Sequence, residues 1–125
     1  METEQLTYLI RGAIFDVFRE LGPGLFESIY EAALIHELTG IGLDIKTQIS
    51  LPVRYKGAKL GLGFRIDMLV NDEVIIEIKS VETLLNVHKK QLLTYLKLTE
   101  KKIGFLVNFN TDYLQDKVSL IRIIN

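Results

Sequence analysis

The stretch "FRIDMLVNDEVIIEIKS" (Phe64–Ser80) reads as two short apolar strands joined by a turn, and it sets Asp67, Glu77 and Lys79 inside the apolar runs. Register decides whether these polar residues belong together. With a two-residue turn, Asn71–Asp72, Asp67 lies opposite Ile76 and the two acids fall on opposite faces. With a three-residue turn, Asn71–Glu73, the opposed pairs are Val70 with Val74, Met68 with Ile76 and Ile66 with Ile78, all apolar on one face. The other face then pairs Leu69 with Ile75 and Asp67 with Glu77. Hydrophobic burial selects the second register because it sorts the side chains cleanly.

That register sets two carboxylates side by side. Like charges directly opposite in a sheet are destabilising, and in a half-buried site one carboxylate is driven to keep its proton. A cation removes the penalty. Lys79 lies two residues beyond Glu77, hence on the same face, and can neutralise one acid. A divalent metal ion can neutralise both, with the Ile78 carbonyl as a further oxygen ligand. All-oxygen ligation suits Mg²⁺ or Mn²⁺ better than zinc, which prefers nitrogen and sulfur. The same three residues also fit a salt-bridged cluster on a solvated strand face.

Working outward, Leu6, Leu9, Ile10, Ala13, Ile14, Val17, Phe18 and Leu21 recur at steps of three and four, which predicts a helix over Thr3–Leu21. "LGPG" stops it. Leu25, Ile29, Ala33 and Leu34 resume helical spacing as far as Leu38, and "TGIG" closes that second helix. Alternation of Ile45, Thr47, Ile49, Leu51 and Val53 marks a strand over Asp44–Tyr55, and "YKGAKLG" reads as the turn into the quoted strands. A third helix is expected from about Leu84 to Glu100, with Leu85, Leu92, Leu93 and Leu96 on its apolar face. "KIGFLVNF" and "VSLIRII" read as two further strands. The strands before and after the third helix should be parallel, because a long helical connection is a crossover. The expectation is an α/β domain over residues 1–125, in the order α-α-β-β-β-α-β-β, with helices packed on a mixed sheet.

The 125 residues suit one domain with one core, and 48% hydrophobic with 25% charged residues is a globular composition. Absence of cysteine excludes a disulfide framework, thiolate zinc ligation and a cysteine nucleophile. The acidic start "METEQLTYLIRG" lacks the features of a signal peptide, and no apolar run approaches membrane-spanning length, so a cytoplasmic protein is expected, with no membrane partner. A net charge of −1 argues against binding nucleic acid by basicity alone. The distribution is uneven: residues 1–43 carry two basic and seven acidic side chains, and residues 44–102 carry eleven and seven. The second segment can meet phosphates if it forms one face, or it is a mixed solvated surface.

Two helices bear on the carboxylate pair. Glu27, Tyr30, Glu31 and Leu34 share a helix face, so Glu27 can point at the sheet with Tyr30 beside it. As an acid in the first helical turn, Glu27 also favours the helix dipole for structural reasons alone. In the third helix His88, Gln91 and Tyr95 form a polar stripe, either a functional surface or a helix rim.

These residues resemble the GxxExxY protein family. "GLFESIYE" (Gly24–Glu31) matches its Gly-x-x-Glu-x-x-Tyr signature, and "LPVRYKG", "RIDMLV", "VIIEIKS", "HKKQLLTYLKL" and "IGFLVNFN" resemble its later blocks in order. That family is regarded as a branch of the PD-(D/E)XK nuclease-like superfamily, with the RecB-type arrangement of Glu, Asp, Glu-x-Lys and Gln-x-x-x-Tyr. The resemblance implies a restriction-endonuclease-like core and a metal-dependent nuclease. It implies that Asp67, Glu77, the Ile78 carbonyl and Glu27 hold Mg²⁺ or Mn²⁺, that Lys79 is the catalytic lysine, and that Gln91 and Tyr95 form the last motif. Ile66 stands where the superfamily carries proline. The implied partner is nucleic acid, DNA before RNA. Lys56, Lys59, Arg65, Lys89 and Lys90 are candidate phosphate contacts, with Tyr30 and His88 beside the substrate. A domain of this size can also pair with itself to build a groove. The rival expectation is a binding or regulatory module that keeps the fold and cleaves nothing, acting with a protein or nucleotide partner.

Overall fold

Asn71 and Asp72 both take left-handed backbone conformations, and the connection they form with Glu73 gives the register that buries apolar side chains: Val70 opposite Val74, Leu69 opposite Ile75, Met68 opposite Ile76. Asparagine and aspartate tolerate this conformation better than other non-glycine residues. The turn is tied down when Asn71 Oδ1 accepts the Asp44 N–H at 2.8 Å. A computed structural model describes residues 1–125. Its elements are α1 (Thr3–Leu21), α2 (Glu27–Gly40), β1 (Ile45–Tyr55), β2 (Ala58–Val70), β3 (Val74–Lys79), α3 (Asn86–Thr99), β4 (Ile103–Asn108) and β5 (Leu120–Ile124).

The strands form one sheet in sequence order, β1-β2-β3-β4-β5, antiparallel except for the parallel pair β3–β4 that α3 connects. On one face Leu6, Ile10, Ile14 and Val17 of α1 and Tyr30, Leu34 and Leu38 of α2 pack with Met68, Val70, Ile76, Ile78, Phe105 and Val107. On the other face Leu92, Tyr95 and Leu96 of α3 pack with Leu69, Ile75 and Leu106. Gly104 permits the close approach of α3, since a Cβ there would meet Leu92 Cδ1 at 2.9 Å. No helix is long and apolar enough to cross a membrane.

Three details depart from the sequence expectations. Strand β2 begins at Ala58, because Lys56 and Gly57 both take positive φ and close a two-residue hairpin turn where a longer loop was expected. Leu85 lies outside the apolar face of α3: it precedes the helix and is 54% exposed. Ile66, expected to share a face with Ile78, packs instead with the cluster under α3. The cause lies at Gln48 (φ 52°), where the β1–β2 ladder skips the Gln48–Asp67 pair and the side-chain alternation inverts. Phe64 and Ile66 therefore face α3, while Met68 and Val70 face α1 and α2.

The entry into α2 is fixed by Tyr30. Its hydroxyl donates to the Gly22 carbonyl (2.6 Å) and accepts the Leu25 N–H (3.2 Å), and its ring stacks on Phe109 at 4.3 Å between centroids. Tyr30→Phe keeps the stack and deletes both hydrogen bonds. It should lower the unfolding free energy by about 1–3 kcal/mol in urea titrations, with an unchanged slope on denaturant.

Candidate active site

Beyond Met68 and Ile76 the ladder between β2 and β3 stops, and carboxylates take the place of backbone carbonyls. Glu77 Oε2 accepts the Asp67 N–H at 2.8 Å, and Asp67 Oδ2 accepts the Ile78 N–H at 2.8 Å. Each acid thus caps the backbone of the opposite strand at the point where the strands part. Asp67 lines a cleft of about 320 Å³ together with Glu27, Ser28, Glu31, Gln48, Arg65 and Ile78.

Burial dominates the electrostatics of the pair. Glu77 is 3% exposed, and desolvation, with the Asp67 charge added, pushes its pKa up to about 8 despite the donated N–H and the nearby Lys79. Asp67 is also raised, chiefly by desolvation. The Ile78 N–H and the Lys79 charge oppose that rise, and Glu31 and Glu27 add to it. Lys79 is half-buried and makes no salt bridge, so it acts on both acids through its field. Tyr95 is buried at the edge of the same site. Desolvation first, then Glu77 and Asp67, raise its pKa, and its ring meets Phe64 edge-on at 5.6 Å.

The remaining expected residues divide into three groups. Glu27 lines the cleft at the first turn of α2, where its Oε2 accepts the Ser80 N–H at 2.9 Å. Its carboxylate is thereby engaged with backbone, and no three Asp, Glu or His side chains converge as a set of metal ligands. Arg65 lines the cleft, whereas Gln91 is half-buried on α3 and makes no side-chain hydrogen bond. His88 caps its own helix, its Nδ1 accepting the Leu85 N–H at 2.9 Å, and Lys89 and Lys90 follow it on the first turns of α3. Lys56 and Lys59 are not in the cleft. They sit at the far end of the β1–β2 hairpin, with Lys59 eight residues along β2 from Asp67, or about 26 Å of extended chain. Tyr30, expected as a substrate contact, is fully buried and leaves a substrate no surface to touch.

Sequence reasoning assigned no role to several residues that shape the site. Gln48 Nε2 donates to both carboxylate oxygens of Glu31, at 3.0 and 3.2 Å, which carries β1 into the cleft. Extending the apolar register one strand outward would have placed Gln48 opposite Asp67. Ser80 Oγ donates to the Leu25 carbonyl at 2.6 Å, joining the end of β3 to the start of α2. Asn108 is buried and clamps Val81, accepting its N–H at 3.0 Å and donating to its carbonyl at 2.8 Å. A lone polar residue ending an apolar strand was the available signal.

The donor set suits a hard divalent cation. Asp67 and Glu77 each use one oxygen for a backbone N–H, and Asp67 Oδ1 and Glu77 Oε1 accept no hydrogen bond from the protein. No buried polar side-chain atom is left unpartnered, so these oxygens are not sealed from solvent.

The raised pKa of Glu77 sets the sign of a pH effect. Folding favours its neutral form, so its contribution to stability is full below about 4.5 and is lost as pH rises through about 8. Glu77→Gln keeps an acceptor for the Asp67 N–H and cannot ionise. The variant should match the parent in unfolding free energy at pH 4 and exceed it at pH 9 by on the order of a few kcal/mol. Parallel denaturation curves across that range would show the reading to be wrong.

Comparison with known proteins agrees with this architecture. No protein of curated function and no solved structure matches the chain. The family model of the PD-(D/E)XK nuclease superfamily matches residues 4–122. With that match spanning nearly the whole sequence, and a five-stranded mixed sheet carrying Asp67 and Glu77-x-Lys79 on adjacent strands, the chain belongs to the PD-(D/E)XK nuclease superfamily.

Proposed function

We propose that this protein is a metal-dependent nuclease of the GxxExxY branch, hydrolysing phosphodiester bonds, with DNA as the substrate. The observation that carries the reading is the crossed pair of Asp67 and Glu77 at the strand fork, half-sealed from water, with Lys79 close enough to act on both. A buried acid beside a half-buried one, both with raised pKa values, is costly to a fold that needs them only for shape, and such perturbed groups collect at functional sites.

Asp67 and Glu77, with the Ile78 carbonyl, would hold Mg²⁺ or Mn²⁺. When bound, the ion supplies Lewis acidity toward a phosphoryl oxygen and lowers the pKa of a coordinated water. Glu77 must give up its proton for this, so cation uptake is coupled to proton release. Lys79 carries a compact, mobile cation suited to orienting the attacking water or to meeting charge that develops on the phosphate. Glu27 is fixed by Ser80 and lines the cleft, where its free oxygen can orient a water. Tyr95 shields the acid pair from the α3 side. Arg65 offers the cleft a fixed positive charge toward the phosphate backbone.

The test pairs binding with turnover. Mn²⁺ titrated into the protein in a calorimeter near pH 7 should show binding whose apparent heat varies with the buffer's ionisation enthalpy, because a proton leaves Glu77. Cleavage of duplex DNA, single-stranded DNA and RNA should require the metal. Asp67→Ala should abolish both, while Lys79→Ala should keep metal binding and lower the cleavage rate by about 10²–10³-fold. Metal binding with no cleavage of any substrate would favour a silent binding module. Cleavage that survives both substitutions would place the chemistry elsewhere.

A further inference from the structure

The β1–β2 hairpin outruns the rest of the sheet. Strand β2 has 13 residues and β3 has six, and only Met68–Val70 pair with β3, so the hairpin projects as a two-stranded ribbon. Every residue from Arg54 to Gly63 is exposed. From Ile45 to Ile66 the chain carries five cations, Lys46, Arg54, Lys56, Lys59 and Arg65, and no acid, whereas the rest of the protein holds ten basic and sixteen acidic side chains. None of the five forms a salt bridge.

Two of these cations are arranged against the stability of the ribbon. Arg54 and Lys59 are directly opposed in the ladder, a like-charge pair in the position that repels most. Isolated lysines suffice to keep a sheet edge from pairing with other chains. A matched pair without a counter-charge calls for an anion from outside. The ribbon also bends just inside that pair, where the register shifts between Pro52 and Arg54 and Gly63 must lack a Cβ, which would lie 2.5 Å from the Leu51 carbonyl oxygen. Tyr55, Leu60 and Leu62 stand exposed among the cations, at 62%, 41% and 80%.

We infer that this ribbon is a substrate-holding arm that lies in a groove of duplex DNA, with Arg54, Lys56 and Lys59 on backbone phosphates. The inference rests on the nuclease reading and names its substrate as double-stranded. The major groove of B-form DNA is wide enough for a two-stranded ribbon, whereas the major groove of an RNA helix is too narrow. Arg65 lies on the same strand and lines the acidic cleft, so one continuous strand joins the arm to the site. Lys59 lies eight residues along β2 from Asp67, at most about 26 Å of extended chain, or up to about eight base pairs of duplex. The exposed Tyr55, Leu60 and Leu62 supply apolar contacts to sugars and base edges within the groove.

The test reads binding apart from cleavage. Fluorescence anisotropy of the whole protein with a labelled 24-base-pair duplex and its single strand is measured in EDTA across a salt series. Arg54→Gln/Lys56→Gln/Lys59→Gln should weaken duplex binding at least about tenfold and flatten the log–log salt slope by about 2–3, near 0.9 per lost phosphate contact. The control Lys97→Gln/Lys102→Gln/Lys117→Gln makes the same change in net charge elsewhere and should leave the slope unchanged. Thermal midpoints and circular dichroism of both triple variants establish that they fold, as six exposed positions lead one to expect. Unchanged duplex affinity in the ribbon variant, equal affinity for the single strand, or an equal loss in the control would overturn the inference. So would a ribbon variant that turns a dimer into a monomer without touching DNA affinity, because the ribbon would then serve a second copy of the chain. Ribbon-dependent duplex binding with no cleavage in Mg²⁺ or Mn²⁺ keeps the arm and removes the nuclease. Cleavage indifferent to the ribbon variant does the reverse.

Discussion

At the fork between β2 and β3, two side chains do the work of two backbone carbonyls. An antiparallel pair normally exchanges N–H and C=O groups residue by residue, and a backbone N–H left without a partner inside a protein costs about as much as a lost hydrogen bond. Here the Asp67 and Ile78 amides are met by Glu77 and Asp67. The acids therefore hold the fork open as well as sitting in it. Each accepts one backbone N–H and loses hydration, and for both the loss is the larger effect. The fold accommodates Glu77 as an acid rather than a carboxylate near neutral pH, a form that a divalent cation would reverse.

What surrounds the fork explains why it does not simply close. The end of β3 is held from three directions: Glu27 and the Leu25 carbonyl on Ser80, the Phe109 N–H on the Lys79 carbonyl, and Asn108 on Val81. Tyr30, stacked on Phe109 and bonded to Gly22 and Leu25, anchors the turn before α2. The Glu and Tyr of "GLFESIYE" thus have different tasks. Glu27 faces the cleft, and Tyr30 is a buried strut that sets where Glu27 stands.

Much of this was legible in the sequence because side-chain period is a hard constraint. Shifting β3 by one residue would have turned Val74, Ile76 and Ile78 out of the larger core, so the pattern alone chose the three-residue turn, but the ladder stops at Met68–Ile76 and Asp67 meets Glu77 through its N–H rather than as the expected cross-strand pair. The parallel β3–β4 pair followed from the long helical connection between them. Hydrophobic pattern could not show where the alternation breaks. The inversion at Gln48 and Asp67 depends on one left-handed residue of a type that does not demand that conformation. Nor could periodicity tell a buried tyrosine from an exposed one: Tyr30, read as a substrate contact, is fully buried, and Tyr95 is buried too, though at the edge of the site. Lys56 and Lys59 were grouped with Arg65 by charge, but distance along an extended strand separates them.

That separation constrains how cations and acids can cooperate. The cleft gathers Asp67, Glu27 and Glu31, with Glu77 beside it, against Arg65 and Lys79, so it repels a polyanion unless something outside it supplies attraction. The ribbon's charges cannot do so from a distance, because at physiological salt their field decays over about 8 Å and the arm's tip lies several such lengths away. They act only where they touch. A phosphate backbone long enough to reach both ends would be held at the ribbon by contact and carried past Arg65 to the fork, whereas a short fragment could occupy only one. Under the proposed reading, substrate length is thereby coupled to the approach of phosphate to Asp67 and Glu77, because the arm's cations and the acids lie at different places along one strand.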